Sequence, residues 1–595
     1  MTSAMTSDMT PFPNIPSGQA NLPAAFFAVA ADNGGKTLLA AKRNGEWQTM
    51  TYAEVADHVR RLAAALINQG IKPGDKIFIS SENRPEWAIA DLAIMAIGAV
   101  VVPSFVTNTI DDFAYIMGHS DAVLAITSGG ELARKVAAAT QRVDEVDRLI
   151  IMDETDDLNA AGLQVWRWSD LIETFLPLPD LEERMSGMAG DDVCCFIYTS
   201  GTGGRPKGVM LTHRSIQANI DAAIDLLAEG GVAEDQRFLS LLPLSHSYEH
   251  TAGMHLPFQT RSEVWYCESA DQIANNLAEV APTLMTAVPR LYEVLHDRIT
   301  RGIKAKGGVS EKLFRAAVRI GVKQIRNERL SVGEAMLNPV LDRLVRRKVK
   351  SRLGGRLNYF VSGGAALNPD IGEFFMALGV KILQGYGQTE ASPLISANRP
   401  GQIKIASVGP AVRGVEVILS DDGEILTRGD MLMKGYWKDD EATAQTIQNG
   451  WLHTGDLGEV DDDGYITITG RKKDIIVNSG GDNIAPSRVE GVLTIEPEIE
   501  QVMVDGDKKP WLAAVVVPAP DLMQSSSSEA VQAAVAEAIN RANQRLSKLE
   551  QVRRFLIADE PFTTDNGQMT ATLKTRRHVI RAVYGEKLDA LYPKN

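Results

Sequence analysis

The densest chemistry in the chain is one run of eleven residues, Tyr198-Thr199-Ser200-Gly201-Thr202-Gly203-Gly204-Arg205-Pro206-Lys207-Gly208. Glycines let backbone N–H groups approach an anion closely, hydroxyls donate further hydrogen bonds, and a lysine supplies a point charge. An apolar run, Val193 to Ile197, precedes it and reads as a strand. The pattern suits a polyphosphate. It is not a Walker loop, in which Gly-Lys is followed by Ser or Thr; here Lys207 follows Pro206 and precedes Gly208. Nor is it a dinucleotide fingerprint, because Pro206 stands where the third glycine belongs.

Further candidates lie downstream. Ser362-Gly363-Gly364-Ala365-Ala366 follows an apolar run, Leu357 to Val361, and glycines at the end of a strand let a flat ring lie against backbone. Gly385-Tyr386-Gly387-Gln388-Thr389-Glu390 follows the expected strand Val380 to Leu383. In it Tyr386 offers a stacking face for a purine, Thr389 a hydroxyl donor for a phosphate, and Glu390 the hard oxygen that Mg²⁺ prefers. Asp456, in Trp451-Leu452-His453-Thr454-Gly455-Asp456, is suited to accept from both hydroxyls of a ribose. His246 closes Leu242-Pro243-Leu244-Ser245-His246, where a buried, hydrogen-bonded core histidine is the alternative role.

The elements that must position these groups follow from periodicity. Tyr52 to Gln69 carries apolar residues at helical spacing, Lys76 to Ser80 reads as a strand, and Leu92 to Val102 as a buried helix running into the strand Ala99 to Pro103. Strands alternate with helices to about residue 400, which predicts parallel sheets covered by helices. From about 405 the texture changes to short strands and Gly-Asp turns, predicting a barrel-like antiparallel element up to 471. The last stretch, 475–595, has a strand pair near Gln501 to Val517 and a helix expected from Ser528 to Glu550, enough for a small α+β domain. The first 20 residues, rich in Ser, Thr, Met and Pro, read as a frayed arm.

Composition narrows the function. The chain has 595 residues, 44% hydrophobic and 23% charged, with net charge -15. Broad wrapping of nucleic acid is disfavoured, because a phosphate backbone repels an acidic body. Three cysteines without a C-x-x-C spacing exclude a disulfide scaffold or a cysteine zinc framework and suit a reducing cytoplasm. No apolar run approaches the roughly 20 residues that span a bilayer. One block runs against the overall charge. Between Arg298 and Arg356 there are seventeen Lys or Arg against four acidic residues, with apolar residues at helical spacing (Leu313, Val318, Val322; Leu341, Leu344, Val345). Such a block is either a solvated helical face or a surface for anionic lipid or a phosphorylated ligand.

The motifs together, in this order and from about residue 40 to 585, resemble those of the adenylate-forming acyl-CoA synthetases, most nearly the long-chain fatty acid–CoA ligases. The family's phosphate loop has Thr where this chain has Gly203, so one hydroxyl is missing. The resemblance implies a large body (1–471) of two α/β subdomains and the barrel-like element, a hinge at 472–474, and a small mobile C-terminal domain (475–595). It implies that Thr199, Ser200, Gly201, Thr202, Gly203 and Gly204, with Lys207, hold phosphates, and that Thr199 and Glu390 lie at Mg²⁺. Gly364, Ala365, Gly385, Tyr386, Gly387 and Thr389 would then surround AMP, with Asp456 and Arg471 as further nucleotide ligands. His246 and Gly363 would flank an acyl pocket. Ser479, Gly480 and Gly481 would line a coenzyme A tunnel, Lys473 would be the pivot, and Lys574 in Thr570-Ala571-Thr572-Leu573-Lys574 the catalytic lysine.

The implied chemistry follows from charge. A carboxylate is already ionised at neutral pH, so no general base is required. The obstacle is bringing one anion against a tetra-anionic nucleotide, which calls for positioning and cationic stabilisation. The expected substrates are a long- or medium-chain fatty acid, ATP and coenzyme A, with no nucleic acid. The basic block allows peripheral contact with an anionic membrane at the inner face, and the sequence leaves a homodimer open. The rivals are an acyl-AMP ligase that hands its product to a carrier protein, an enzyme for another apolar acid such as an aryl acid, an ADP-forming ATPase, and a nucleotide-binding regulator without catalysis.

Overall fold

A computed structural model describes residues 21–593 apart from 157, 159, 161, 200–204, 233 and 571–573. The expected N-terminal arm, residues 1–20, lies outside the described residues, as do the loop candidates Ser200, Gly201, Thr202, Gly203 and Gly204.

Two eight-stranded sheets form the large body. In one, Lys381–Gly387, Tyr359–Ser362, Leu284–Ala287, Arg237–Ser240, Glu263–Tyr266 and Thr37–Arg43 run parallel between antiparallel edges, Leu394–Ala397 and Glu46–Thr51. In the other, Val193–Thr199, Val100–Pro103, Lys76–Ser80, Ala122–Thr127, Arg148–Ile151 and Gln164–Arg167 are parallel, and Lys207–Thr212 and Gly435–Tyr436 add an antiparallel edge. The inner parallel strands, such as Val100–Pro103, Ala122–Thr127 and Leu284–Ala287, are buried and largely apolar, as strands covered on both faces must be.

The helix Pro85–Ala96 is buried along nearly all its length and belongs to a core that also takes Leu39 and Val264 from one sheet and Ile77 and Val101 from the other. A helix that is apolar all round must be enclosed in this way. Its Asp91 is buried and meets His250 Nε2 at 2.9 Å and His255 Nε2 at 3.2 Å, which ties the π-helical segment Glu249–His255 to the core. That segment follows directly on His246–Tyr248, so the tie fixes one wall of the site.

The barrel-like expectation resolves into a five-stranded antiparallel sheet with an open edge: Val415–Leu419, Glu424–Gly429, Trp451–Val460, Ile447–Gln448 and Ile466–Arg471. Beyond it the chain has separate cores. In the sheet Ile499–Asp505, Leu512–Pro518 and Val552–Ile557, residues Val502, Val504, Ala514 and Val516 share a core with residues of the helices Pro486–Leu493 and Ser528–Asn543. The alternate residues Met503, Ala513, Val515 and Val517 share another with the helix Arg577–Asp589. This is the period-two alternation of a sheet covered on both faces. The helix expected to reach Glu550 ends at Asn543, whose side chain instead exchanges hydrogen bonds with the backbone of Val552. Ser527, within the serine run, caps its start.

The basic block is helical: Pro289–Lys306, Gly308–Ile325 and a rod made of Val332–Leu341, Asp342–Arg346 and Arg347–Arg352. Of the apolar residues at helical spacing, Leu341 and Val345 are buried, with Val349, in the core that includes Met285, Phe360 and Ile382, whereas Leu344 is 42% exposed. No helix among the described residues is long and apolar enough to cross a membrane.

Candidate active site

The strands Val193–Thr199 and Lys207–Thr212 form an antiparallel hairpin in which Thr199 pairs with Lys207. The phosphate-loop candidate is therefore the connector of a hairpin and does not open a helix; the next helix starts at His213. That is the structural counterpart of the failed Walker match. Tyr115 donates to the Pro206 carbonyl at 2.9 Å and stacks beneath Arg205, which anchors the end of the loop.

Two parallel strands of the first sheet, Tyr359–Ser362 and Lys381–Gly387, deliver the Gly363–Ala365 and Gly385–Glu390 groups at their C-terminal ends, where α/β sheets bind ligands. Gly364 needs φ = +82°, which a side chain resists, and Gly363 lies against the Tyr248 ring, which a Cβ would meet at 3.1 Å. A Cβ on Gly387 would fall 1.6 Å from the Pro393 carbonyl oxygen, so only glycine allows that crossing. These positions open into a cavity of about 2020 Å³. Thr199, Lys207, His246, Gly363, Gly364, Ala365, Gly385, Tyr386, Gly387, Thr389, Glu390, Asp456, Arg471, Lys473 and Lys574 all line it. Ser479, Gly480 and Gly481 do not; they sit on an exposed turn of the C-terminal part, where the Asn478 side chain accepts from the Gly480 and Asp482 N–H groups.

Within the cavity the groups are held in pairs. Asp456 accepts from the Tyr386 phenol at 2.8 Å and lies 3.5 Å from Arg471, its neighbour across the strand pair Trp451–Val460 and Ile466–Arg471. Burial pushes the Asp456 carboxyl above its ordinary value, and Arg471 and Tyr386 pull it back. Glu390 accepts from Tyr436 at 2.9 Å. Thr389 shares a hydrogen bond with Ser247 at 3.1 Å. Lys207 lies 3.3 Å from Asp439 and over the ring of Tyr436. Ser247, Tyr436 and Asp439 are absent from the residues that sequence motifs pick out. Ser247 is adjacent to His246, and Asp439 caps the helix Asp440–Thr446, but nothing local marks Ser247 as the partner of Thr389 or Asp439 as the partner of Lys207.

Lys574 enters from the C-terminal part. Its backbone N–H is held by Thr570 Oγ1 at 3.0 Å, and its side chain stands in the open cavity, ringed by protein. That enclosure lowers its ammonium below the ordinary lysine value, as does Arg471, whereas Asp456 and Glu390 pull it back up. His246 accepts the Tyr248 N–H on Nδ1, and burial with Lys574 nearby depresses it to about 4, so a neutral ring faces the cavity. Behind it Glu249 is buried between Ser240 Oγ (2.7 Å) and Thr286 Oγ1 (2.6 Å), and burial raises its carboxyl to about 7. Apolar side chains line the cavity too: Ile220, Ala223 and Leu227 from the helix His213–Glu229, Phe238 from the strand Arg237–Ser240, Leu284 from the strand Leu284–Ala287, and Leu256.

The cavity is thus lined by cations and carboxylates and by apolar side chains as well. The AMP-binding enzyme family matches over residues 26–437, and the AMP-binding enzyme C-terminal domain over residues 473–595. The chain belongs to the AMP-binding enzyme family. A long-chain-fatty-acid–CoA ligase (FadD15) of Mycobacterium tuberculosis is 32% identical, over 96% of this chain and 97% of the relative. A peroxisomal long chain acyl-CoA synthetase 6 of Arabidopsis thaliana is 30% identical, over 92% of this chain and 82% of its own. Among solved structures, the adenylation domain of a carboxylic acid reductase from Segniliparus rugosus, in complex with AMP and a co-purified carboxylic acid, superposes with TM-score 0.75 at 21% identity, over 96% and 94% of the two chains. It bears out the expected fold.

Proposed function

We propose that this protein is an AMP-forming fatty acid–CoA ligase: it joins a long-chain fatty acid to AMP, releasing pyrophosphate, and then passes the acyl group to coenzyme A. The observation that carries this reading is the convergence of Lys574 with Glu390, Asp456 and Arg471 in a cavity that apolar side chains also line. The family membership and the names of the full-length relatives support it.

Each residue then has a task. Tyr386 and the Gly364–Ala365 backbone flank the adenine, and Asp456, oriented by Tyr386 and Arg471, takes the ribose hydroxyls. Lys207 and the loop 200–204 hold the phosphates that leave. Lys574 stands between the fatty carboxylate and the α-phosphate and offsets the repulsion of the two anions; a preorganised donor of this kind is worth about 10²–10³ in rate. Glu390 and Thr199 would hold Mg²⁺, whose charge neutralises phosphate oxygens; one carboxylate, a hydroxyl and substrate phosphates are the donor set that ion accepts. The apolar side chains of the lining take the tail, at about 0.8 kcal/mol for each buried methylene. Neutral His246 lines the cavity and adds no charge there.

Residues 1–471 act as the large body, with the helical block at about 298–356 and the open sheet at about 405–471; 472–474 is the hinge and 475–595 the mobile domain. Rotation about Lys473 withdraws Lys574 and brings Ser479, Gly480 and Gly481, now on the outside, to the thiol's path. The setting is the cytoplasm, with peripheral contact at an anionic membrane surface where the fatty substrate resides.

A second reading is transfer to a carrier protein, favoured by a relative from Arabidopsis thaliana named a long-chain-fatty-acid–[acyl-carrier-protein] ligase, 28% identical over 91% of this chain and 82% of the relative. A pyrophosphate-release screen over straight-chain and aryl acids of graded size, with and without free coenzyme A, tests both. The proposal expects release to favour long acids, AMP as nucleotide product, and acyl-CoA only when coenzyme A is present. Pyrophosphate release with no thioester to free coenzyme A would move the assignment to a carrier protein, and ADP as product would end both.

A further inference from the structure

The outer helical rod presents an apolar face that the fold leaves uncovered. Val332, Met336, Val340 and Leu344 recur every fourth residue along it and are 80%, 75%, 46% and 42% exposed. Side chains four apart stack on one helix face, so the four form a stripe. Val309, at the start of the neighbouring helix Gly308–Ile325, is 72% exposed as well. Most large apolar side chains of this chain are buried, and an exposed run of this kind marks a contact surface. The rod is anchored from the opposite side: Leu341, Val345, Val349 and Leu353 are buried in the core, and Arg346 donates to the carbonyls of Ala317 and Ala377. The stripe is therefore carried on a fixed element.

Cations continue the stripe along the same rod. Arg343, Arg347, Lys348 and Arg352 are exposed, and among the described residues only Arg347 of these has an ion-pair partner, Asp342 at 3.2 Å. They belong to the block with seventeen basic and four acidic residues on a chain whose net charge is -15. The cationic surplus thus lies beside the uncovered apolar stripe, on a body that is otherwise acidic.

We propose that this face of the rod, Val332, Met336, Val340 and Leu344 with Arg343, Lys348 and Arg352, docks on an anionic phospholipid bilayer, the apolar stripe entering the interface and the cations meeting the headgroup phosphates. An amphipathic helical face with flanking Lys and Arg binds bilayers through these two terms together. A second copy of this chain fits less well, because a two-fold contact would set the cations of one patch near those of the other. A nucleic acid would use the cations and leave the stripe in water. The inference rests on the peripheral membrane contact proposed above and names the face that makes it; the surface lies outside the cavity, so its failure would leave the ligase assignment standing.

Co-sedimentation of the full chain with unilamellar vesicles tests it, using phosphatidylcholine alone and phosphatidylcholine with phosphatidylglycerol. Partition to the anionic vesicles should exceed that to neutral ones by roughly tenfold or more at low salt, since each nearby cation contributes. Met336→Asp with Val340→Asp should lower binding to anionic vesicles, and Arg343→Glu with Lys348→Glu and Arg352→Glu should remove the preference for anionic lipid. Melting temperature and pyrophosphate release on a dissolved acid should stay unchanged in both variants, because the substituted side chains are exposed and outside the cavity. Equal partition of the unsubstituted protein to both vesicle types overturns the proposal, and so does unchanged binding in either variant. A dimer in sedimentation velocity that Met336→Asp with Val340→Asp dissolves would give the face to a second copy and overturn it equally.

Discussion

Tyr386 donates its phenolic hydrogen to Asp456 across 2.8 Å, joining the end of a strand in the large parallel sheet to the open antiparallel sheet. The bond does two things: it fixes the carboxylate's direction, and it opposes the rise in its pKa that burial causes. Tyr386→Phe should therefore raise KM for ATP by up to about tenfold, the worth of one hydrogen bond to a charged group. It should also move the acid limb of the kcat/KM profile for ATP to higher pH, because Asp456 then gives up its proton later. Asp456→Ala removes the ribose acceptor itself and should cost about 10² in kcat/KM for ATP. Steady-state kinetics with ATP varied read both, and an unchanged KM in Asp456→Ala would count against the ribose assignment.

Glu249 makes stability depend on pH. Its carboxyl is raised from 4.5 to about 7 by burial, partly offset by hydrogen bonds from Thr286 and Ser240. A raised carboxyl favours the folded state in full below the unfolded value, near 4.5, and that advantage is lost as pH climbs to about 7. Glu249→Gln keeps the shape and cannot ionise. Its stability relative to the parent should improve between pH 5 and pH 8 by up to about 3 kcal/mol, at about 1.4 kcal/mol for each tenfold weakening of the buried acid. Thermal melts of both proteins across this range measure it; parallel melting curves would show that Glu249 does not titrate there.

Arg290, at the start of the helix Pro289–Lys306, pairs with Glu500 of the C-terminal part and with Glu293 on its own helix at 3.1 Å. Asn368 donates to the Gly491 carbonyl at 3.0 Å across the same boundary. These contacts hold the arrangement in which Lys574 occupies the cavity. Both charged side chains are partly exposed, so the pair is worth under about 1 kcal/mol. Arg290→Ala should slow acyl-AMP formation by about two- to fivefold and leave thioester formation from supplied acyl-AMP unchanged or faster, and Arg290→Glu with Glu500→Arg should restore the first step. Equal slowing of both steps would mean that the pair supports folding only.

Much of the cavity could be read in the sequence because its residues sit where chain periodicity places strand ends. Gly363, Gly364, Gly385 and Tyr386 follow runs of apolar residues whose length identifies buried parallel strands, and the shift to short strands near residue 405 announced the sheet that carries Asp456. What stayed hidden was pairing over long separations. Asp439 beside Lys207, Ser247 on Thr389 and Tyr436 on Glu390 join segments far apart in the chain, and no local pattern marks such partners. Leu344 shares the helical spacing of Leu341 and Val345 yet is exposed where they are buried, and spacing alone does not say which face of a helix meets the core. The exposed position of Ser479 to Gly481 depends on how the C-terminal part is seated, which short-range periodicity does not encode.

The most direct test of the account is Lys574→Ala, assayed separately in the two half-reactions. Pyrophosphate release from ATP and fatty acid should fall by about 10²–10³, the cost of one preorganised charge, while acyl-CoA formation from supplied acyl-AMP and coenzyme A keeps its rate. A variant that adenylates normally, or that loses both steps to the same degree, would contradict the role given to the lysine that stands in the cavity beside Glu390, Asp456 and Arg471.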